Sequence, residues 1–319
     1  MSQRVLRTGP LLDPAIFATV IGREVDGTPL LTLDEDAAER LSFYATALSA
    51  ASDTVETQNI SATRYAFPIE DTLELARLVA AEVMVLQATH SAEAVKKSLP
   101  QIRMRAATRL RAQALPSPGT LHPQMTTPTE VIDTKQPYTD YFAVREDILR
   151  FPYFSGSKSS EVKRASFMGG DAVTILPYDP KARSVLLVRQ FRHGPLARGD
   201  ANPWTLEPAA GRIDPGESPE DTARRELQEE TGAHVEALHF VARYYPSPGA
   251  YSEFLYSFIG IADLSGKDQS VSGLADEAED IMSHVLSLED AMRLVETGEV
   301  NTGPLILSLQ WLAMNAERL

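Results

Sequence analysis

Residues 211–233 read GRIDPGESPEDTARRELQEETGA, and this run constrains the chain more than any other. Gly211 is followed after five residues by Glu217. Seven more lead to Arg225-Glu226-Leu227, then Glu229-Glu230, then Gly232. Asp214-Pro215-Gly216 carries turn chemistry. Ser218 suits an N-cap, Pro219 the first helical position, and Asp221 the acidic place of a capping box. The pattern predicts a helix from about Pro219 to Glu230, ended by Gly232 in the left-handed conformation. At 3.6 residues per turn Glu226 and Glu230 share one face, and Glu229 borders it.

Carboxylates held this close repel one another unless something positive sits among them. Mg²⁺ prefers carboxylate oxygens, bridges phosphate oxygens and stabilises developing negative charge. Arg225 stands four residues before Glu229 and is placed to hold it. The plainer reading, a solvated surface helix rich in Glu and Arg, leaves the glycines and the full spacing unexplained. The run resembles the Nudix box, G-x5-E-x7-R-E-U-x-E-E-x-G-U, where U is a bulky aliphatic residue. It departs only at the last place, which holds the smaller Ala233. The resemblance implies hydrolysis of a nucleoside diphosphate linked to another group, with Mg²⁺ or Mn²⁺ as cofactor.

The chain has 319 residues, more than one such domain needs, and its 43% hydrophobic content can support sizeable cores. A net charge of −14 argues against nucleic acid as a partner. An anionic substrate must therefore meet a local cluster of Arg and metal. Cysteine is absent, which excludes disulfides and thiolate metal sites. The opening MSQRVLRTGPLLDP lacks the apolar core of a signal peptide, and no apolar run is long enough to span a membrane. A cytoplasmic enzyme is expected.

Three regions follow one another. Residues 1–75 mix short apolar runs with turns and read as a small α/β domain. Residues 76–130 read as a helical connector, with Pro100 dividing or starting a helix, and then a linker. LPSPGTLHPQMTTPTE holds four prolines. Residues 131–319 form the third region. TDYFAVREDILRF, EVKRASFMGGDAVTILPYD, SVLLVRQFRH, HFVARYYP and EFLYSFIGIADL have strand character, while LEDAMRLVETG and GPLILSLQWLAMNAERL read as closing helices. The expected fold class is α/β, a mixed sheet between helices in an α/β/α sandwich, preceded by the small α/β domain and the connector.

Beyond the box, residues 138–319 resemble bacterial ADP-ribose pyrophosphatases. The resemblance rests on VLLVRQFRHGP at 185–195, WTLEPAAGRID at 204–214, YYPSPGAYSE at 244–253 and GLADEAEDI at 273–281. It implies that Glu226 and Glu230 ligate the metals, with the Ala210 carbonyl as another ligand and Glu229 contributing. Glu279, with or without Glu277, is the implied general base on the attacking water. Arg192 and Arg164 would contact the phosphates or the terminal ribose. Glu207 would sit beside the substrate, and Phe142 or Tyr141 would stack on adenine. In that family the aromatic comes from an N-terminal segment exchanged across a homodimer. Tyr251 and Glu253 either line the substrate site or merely pack. His193 has no partner pattern, and His284, following a strand, is read as structural. Glu217 is read as ordering the loop rather than as the base.

Residues 5–23, VLRTGPLLDPAIFATVIGR, and ERLSFYATAL at 39–48 resemble γ-glutamylcyclotransferase-like domains. Two departures matter. That family's Tyr-Gly-Thr/Ser-Leu loop is here Thr8-Gly9-Pro10-Leu11, and the place of its catalytic acid after Phe43-Tyr44 is Ala45. Without a carboxylate no base is left for proton transfer, so the domain is expected to be degenerate and to serve packing or dimerisation. The fusion resembles tellurite-resistance Nudix proteins. The leading expectation is Mg²⁺-dependent hydrolysis of ADP-ribose to AMP and ribose 5-phosphate. Its rivals are a hydrolase of another nucleotide-sugar such as GDP-mannose and a non-catalytic ADP-ribose sensor, the latter disfavoured by the absence of a basic recognition helix.

Overall fold

The computed structural model describes residues 3–23, 30–57, 60–68, 71–116, 127–274 and 279–319. They form two compact units, Met1–Gly169 and Gly170–Leu319.

The first unit opens with β1 (Gln3–Leu6), a 3₁₀ turn (Gly9–Leu12), α1 (Pro14–Ile21), β2 (Leu30–Leu33), α2 (Glu35–Ala47), β3 (Ala51–Thr57) and β4 (Ile60–Ala66). The strands form a sheet in the order β2-β1-β4-β3. Three helices follow, α3 (Leu73–Leu86), α4 (Ala92–Lys97) and α5 (Leu99–Ala114). Pro100 lies in the first turn of α5, where its missing N–H costs nothing. These helices share one core with the sheet: Val79, Val83 and Ile102 are fully buried beside Val5, Phe17 and Leu41. A three-stranded antiparallel sheet completes the unit, with β5 (Glu130–Thr139), β6 (Ala143–Arg150) and β7 (Val162–Met168) in that order. Most of the proline-rich stretch, 117–126, lies outside the described residues.

A buried ionic cluster ties α3, α5 and β5 together. Glu82 and Arg105 are each 1% exposed, and Arg105 Nε donates to Glu82 Oε1 at 2.7 Å. Gln136 Nε2 donates to the same oxygen at 3.1 Å, and Arg109 reaches Glu82 Oε2 at 3.3 Å. Such a group is tolerated in an apolar interior only because it is paired.

Arg7 is enclosed by the turn that follows β1. Arg7 Nε donates to the Leu11 carbonyl at 2.6 Å and Nη2 to that of Leu12 at 2.7 Å, while the guanidinium lies 4.9 Å from the Phe17 ring centre. Ala45 is 3% exposed on α2, packed in the core.

The second unit contains β8 (Ala172–Asp179), β9 (Ser184–Phe191), α6 (His193–Arg198), β10 (Trp204–Glu207), β11 (Ala209–Arg212), α7 (Pro219–Thr231), β12 (Ala237–Tyr244), β13 (Leu255–Ile261), β14 (Val271–Ser272), β15 (Ile281–Ser287), α8 (Leu288–Thr297) and α9 (Gly303–Asn315). The sheet runs β12-β13-β8-β9-β15-β14, with β10 on β9 and β11 on β8. It is mixed, because β13 pairs β8 in parallel and the other pairs are antiparallel. Alternation along β8 sends Val173 and Ile175 to one face, against Ala223 and Leu227 of α7. Leu176 and Tyr178 go to the other face, against Leu305, Leu309 and Leu312 of α9. The unit is thus the expected α/β/α sandwich. His284 lies within β15 rather than after a strand.

Candidate active site

The acidic helix forms as its sequence predicts. Ser218 Oγ accepts the Asp221 N–H at 3.1 Å, and Pro219 occupies the first turn. Asp221 answers the cap by accepting the Ser218 hydroxyl at 2.7 Å, where a full capping box would bind the backbone N–H. Gly232 closes α7 with φ 64°, its N–H donating to the Gln228 carbonyl at 2.8 Å.

Arg225 organises the exposed edge of this helix. Its Nε and Nη2 donate to the two oxygens of Glu217 at 2.9 and 3.0 Å, a fork-to-fork pair. Its Nη1 donates to Glu226 Oε1 at 2.8 Å and to Glu229 Oε2 at 2.9 Å. Glu217 also accepts the Thr222 hydroxyl at 2.8 Å. The Arg225 hydrogen bonds hold the Glu217 carboxyl down at about 2, so it stays ionised and committed to loop order.

Glu226 folds over the backbone of Gly211. A Cβ on that glycine would lie 1.9 Å from Glu226 Oε1 and 2.4 Å from Oε2, so only glycine allows the approach. Glu230 is 2% exposed, and its Oε2 accepts the Ala210 N–H at 3.2 Å. Ala210 therefore meets this carboxylate through its amide. Burial pushes the Glu226 carboxyl up to about 7, opposed by Arg225 and assisted by the charges of Glu229 and Glu279. Burial likewise raises Glu230 well above the usual range, with Glu226 and Glu279 adding to it. The fold thus brings Glu279, 49 positions after Glu230, within electrostatic reach of the helix carboxylates. Glu279 is tethered by the Leu274 N–H, which donates to its Oε2 at 3.3 Å. Glu277 lies outside the described residues.

Arg192 and Glu207 meet directly. Arg192 Nε donates to Glu207 Oε1 at 3.0 Å and Nη2 to Oε2 at 2.9 Å, while Thr205 Oγ1 donates to Glu207 Oε1 at 2.5 Å. The positive charge of Arg192 is felt by both Glu230 and Glu253. Burial raises Glu253, while Arg212 and Arg192 draw it down and Asp171 pushes it up. Arg212 was not singled out by sequence. It occupies an unspecified place in the five-residue gap of the box, and only its approach to Glu253 marks it. Arg164 lies exposed on β7, with its Nη1 donating to the Lys163 carbonyl at 3.0 Å. Phe142 sits in the turn between β5 and β6, 40% exposed, edge-on to Tyr141 with ring centres 4.9 Å apart. Both belong to the first unit.

The donor set suits a hard divalent cation: buried carboxylate oxygens that raise one another's proton affinity bind a cation where they resist a second negative charge. Among the described residues no three acidic side chains yet converge as a ligand group. Glu226 and Glu229 both turn to Arg225, and Glu230 turns to the Ala210 amide.

The family model for the NUDIX domain matches residues 168–307. The ADP-ribose pyrophosphatase of Haemophilus influenzae is 35% identical over 192 residues, 60% of this chain and 88% of that protein. The ADP-ribose pyrophosphatase of Escherichia coli K12 is 39% identical over 194 residues, 60% of this chain and 90% of that protein. The GDP-mannose pyrophosphatase of Enterobacter sp. strain 638 is 32% identical over 189 residues, 58% of this chain and 95% of that protein. Identity of this order along nearly the whole of each relative, centred on a helix whose caps, carboxylates and glycine contact all take the places the box requires, means that this chain belongs to the Nudix hydrolases.

Proposed function

We propose that the protein hydrolyses the diphosphate of ADP-ribose to AMP and ribose 5-phosphate, with Mg²⁺ as the cation. The observation that carries the reading is the set of buried, mutually repelling carboxylates of Glu226 and Glu230 beside Glu279. Identity to ADP-ribose pyrophosphatases supports the substrate. Glu226 and Glu230 hold the cation, with Glu229 and the Ala210 carbonyl contributing. When bound, the cation neutralises charge on the diphosphate and polarises the bond that breaks. Glu279 orients the attacking water and takes its proton; the water oxygen bonds to one phosphorus as the bridging P–O bond breaks. Arg192 binds a phosphate oxygen, held in orientation by Glu207, and Arg225 positions Glu226 and Glu229. Glu253 adds to the substrate contacts within the second unit.

The reading includes a cytoplasmic homodimer, as in the resembled family, and a first unit without transferase chemistry. The burial of Ala45 where that chemistry needs an acid supports the last point. Residues 1–75, 76–130 and 131–319 are its proposed sequence modules. GDP-mannose is the second reading, favoured by a relative matched over 95% of its length. A substrate panel with chromatographic separation of products decides between them, and absence of AMP from ADP-ribose across metals and pH rejects the first. Glu230→Gln is expected to lower kcat on the order of 100-fold while leaving the circular dichroism unchanged.

A further inference from the structure

The sheet of the second unit has two faces, and the acidic helix occupies one. On β9, Val188 lies on the α7 side while Leu187 packs into the core under α8 and α9. Alternation therefore sends Arg189 to the side away from α7, and its register partner Leu206 confirms the side by joining the same core.

On that side a cavity of about 490 Å³ opens between β9, β10, β15 and the end of α8. Its size suits a ligand of mononucleotide dimensions. Arg189 stands in the middle of its sheet wall. Trp204 on β10 and His284 on β15 flank it, each diagonal to Arg189 across the ladder. Among the described residues the Arg189 side chain has no ion-pair or hydrogen-bond partner. Trp204 is 49% exposed, a large aromatic surface left uncovered. His284 Nδ1 is bonded to the Gln269 amide at 3.1 Å, whereas Nε2 is buried with no hydrogen-bond partner. Asn202 and Asn301 also line the space.

A cation and a half-open indole in one cavity suit a molecule with an anionic group and a flat aromatic part. We propose that this cavity binds a nucleoside monophosphate, with its base against Trp204 and its phosphate on the Arg189 guanidinium. Asn202, Asn301 and the exposed carboxylate of Glu299 are placed for the hydroxyls of its sugar. The choice of a nucleoside monophosphate among aromatic anions rests on the hydrolysis proposed above, which releases one. The protein then holds its product on the face opposite the acidic helix.

The test reads binding without turnover. The full chain is titrated in EDTA with AMP, adenosine and inorganic phosphate in separate calorimetric runs. Its two tryptophans are reduced to one by Trp311→Phe, so that Trp204 alone reports by fluorescence. AMP is expected to quench Trp204 to saturation and to bind at least about tenfold more tightly than adenosine or phosphate. Arg189→Glu is expected to weaken AMP by about tenfold or more, and Arg192→Ala to change it by less than about twofold. Loss of AMP binding in Arg192→Ala with retention in Arg189→Glu overturns the proposal, as does phosphate alone binding as tightly as AMP, or no binding at millimolar AMP. None of these outcomes bears on hydrolysis, which the substrate panel judges.

Discussion

Gly211 shows how one residue without a side chain governs the site. The Glu226 carboxylate rests where a Cβ would stand, with all three of its terminal atoms within 2.4 Å of that position. Gly211→Ala must push the carboxylate away from the β11 backbone, while the strand itself tolerates alanine. A displacement of about 1 Å in a reacting constellation costs about 100-fold. The expected outcome is therefore a loss of kcat near that size with little change in melting temperature, read by steady-state kinetics beside a thermal melt. The glycine and the glutamate were both legible as members of a spaced pattern. Their contact was not, because it joins residues 15 positions apart across a loop.

Elements succeed here where local chemistry and packing agree. The limits of α7 were readable because caps and termini act within a few residues: Ser218 and Gly232 stand at its two ends as predicted. Helix α1 adds a longer reach. Its N-cap Asp13 accepts the Ile16 N–H at 2.9 Å and also the Arg77 Nη2–H of α3 at 2.8 Å. The Arg77 hydrogen bond lowers the Asp13 carboxyl below its ordinary value against the opposing effect of burial. A folded-state value below the unfolded one means stability that is present above the ordinary range, near 4, and is lost as pH falls through the lowered value. Asp13→Asn keeps a capping side chain and removes this pH dependence. Its urea midpoint should lie below that of the parent near neutral pH, and the gap should close in acid. The cluster between α3, α5 and β5 makes a second element-scale prediction. Glu82→Ala leaves Arg105 buried without its partner, at a cost of about 3 kcal/mol or more, read as a fall in the denaturation midpoint. Nothing in the sequence announced this pair: a Glu and an Arg on amphipathic helices read as surface residues until the packing turns them inward.

At the scale of the whole molecule, charge and architecture set the terms. With a net charge of −14, the chain repels an anionic substrate at long range, while Arg192 attracts it at contact. At physiological ionic strength the screening length is about 8 Å, so long-range repulsion fades and contact pairs persist. At constant free Mg²⁺, kcat/KM for ADP-ribose is expected to rise modestly as salt increases toward about 0.15 M. A steep fall would show that long-range attraction dominates. Each compact unit has its own core, and the site's carboxylates all belong to the second. The sequence by itself determined the helix, its caps, the spacing of Glu226, Glu229 and Glu230, and the strand character of VLLVRQF. Each depends on a short-range period or a neighbour a few residues away. Only the tertiary structure decided that Glu230 would be buried and Glu279 would come within electrostatic reach of it, that Arg225 would grip Glu217, and that Arg189 would look away from α7 into a cavity of its own. Those outcomes depend on strand register and on exclusion of water by distant parts of the chain, which no local pattern encodes.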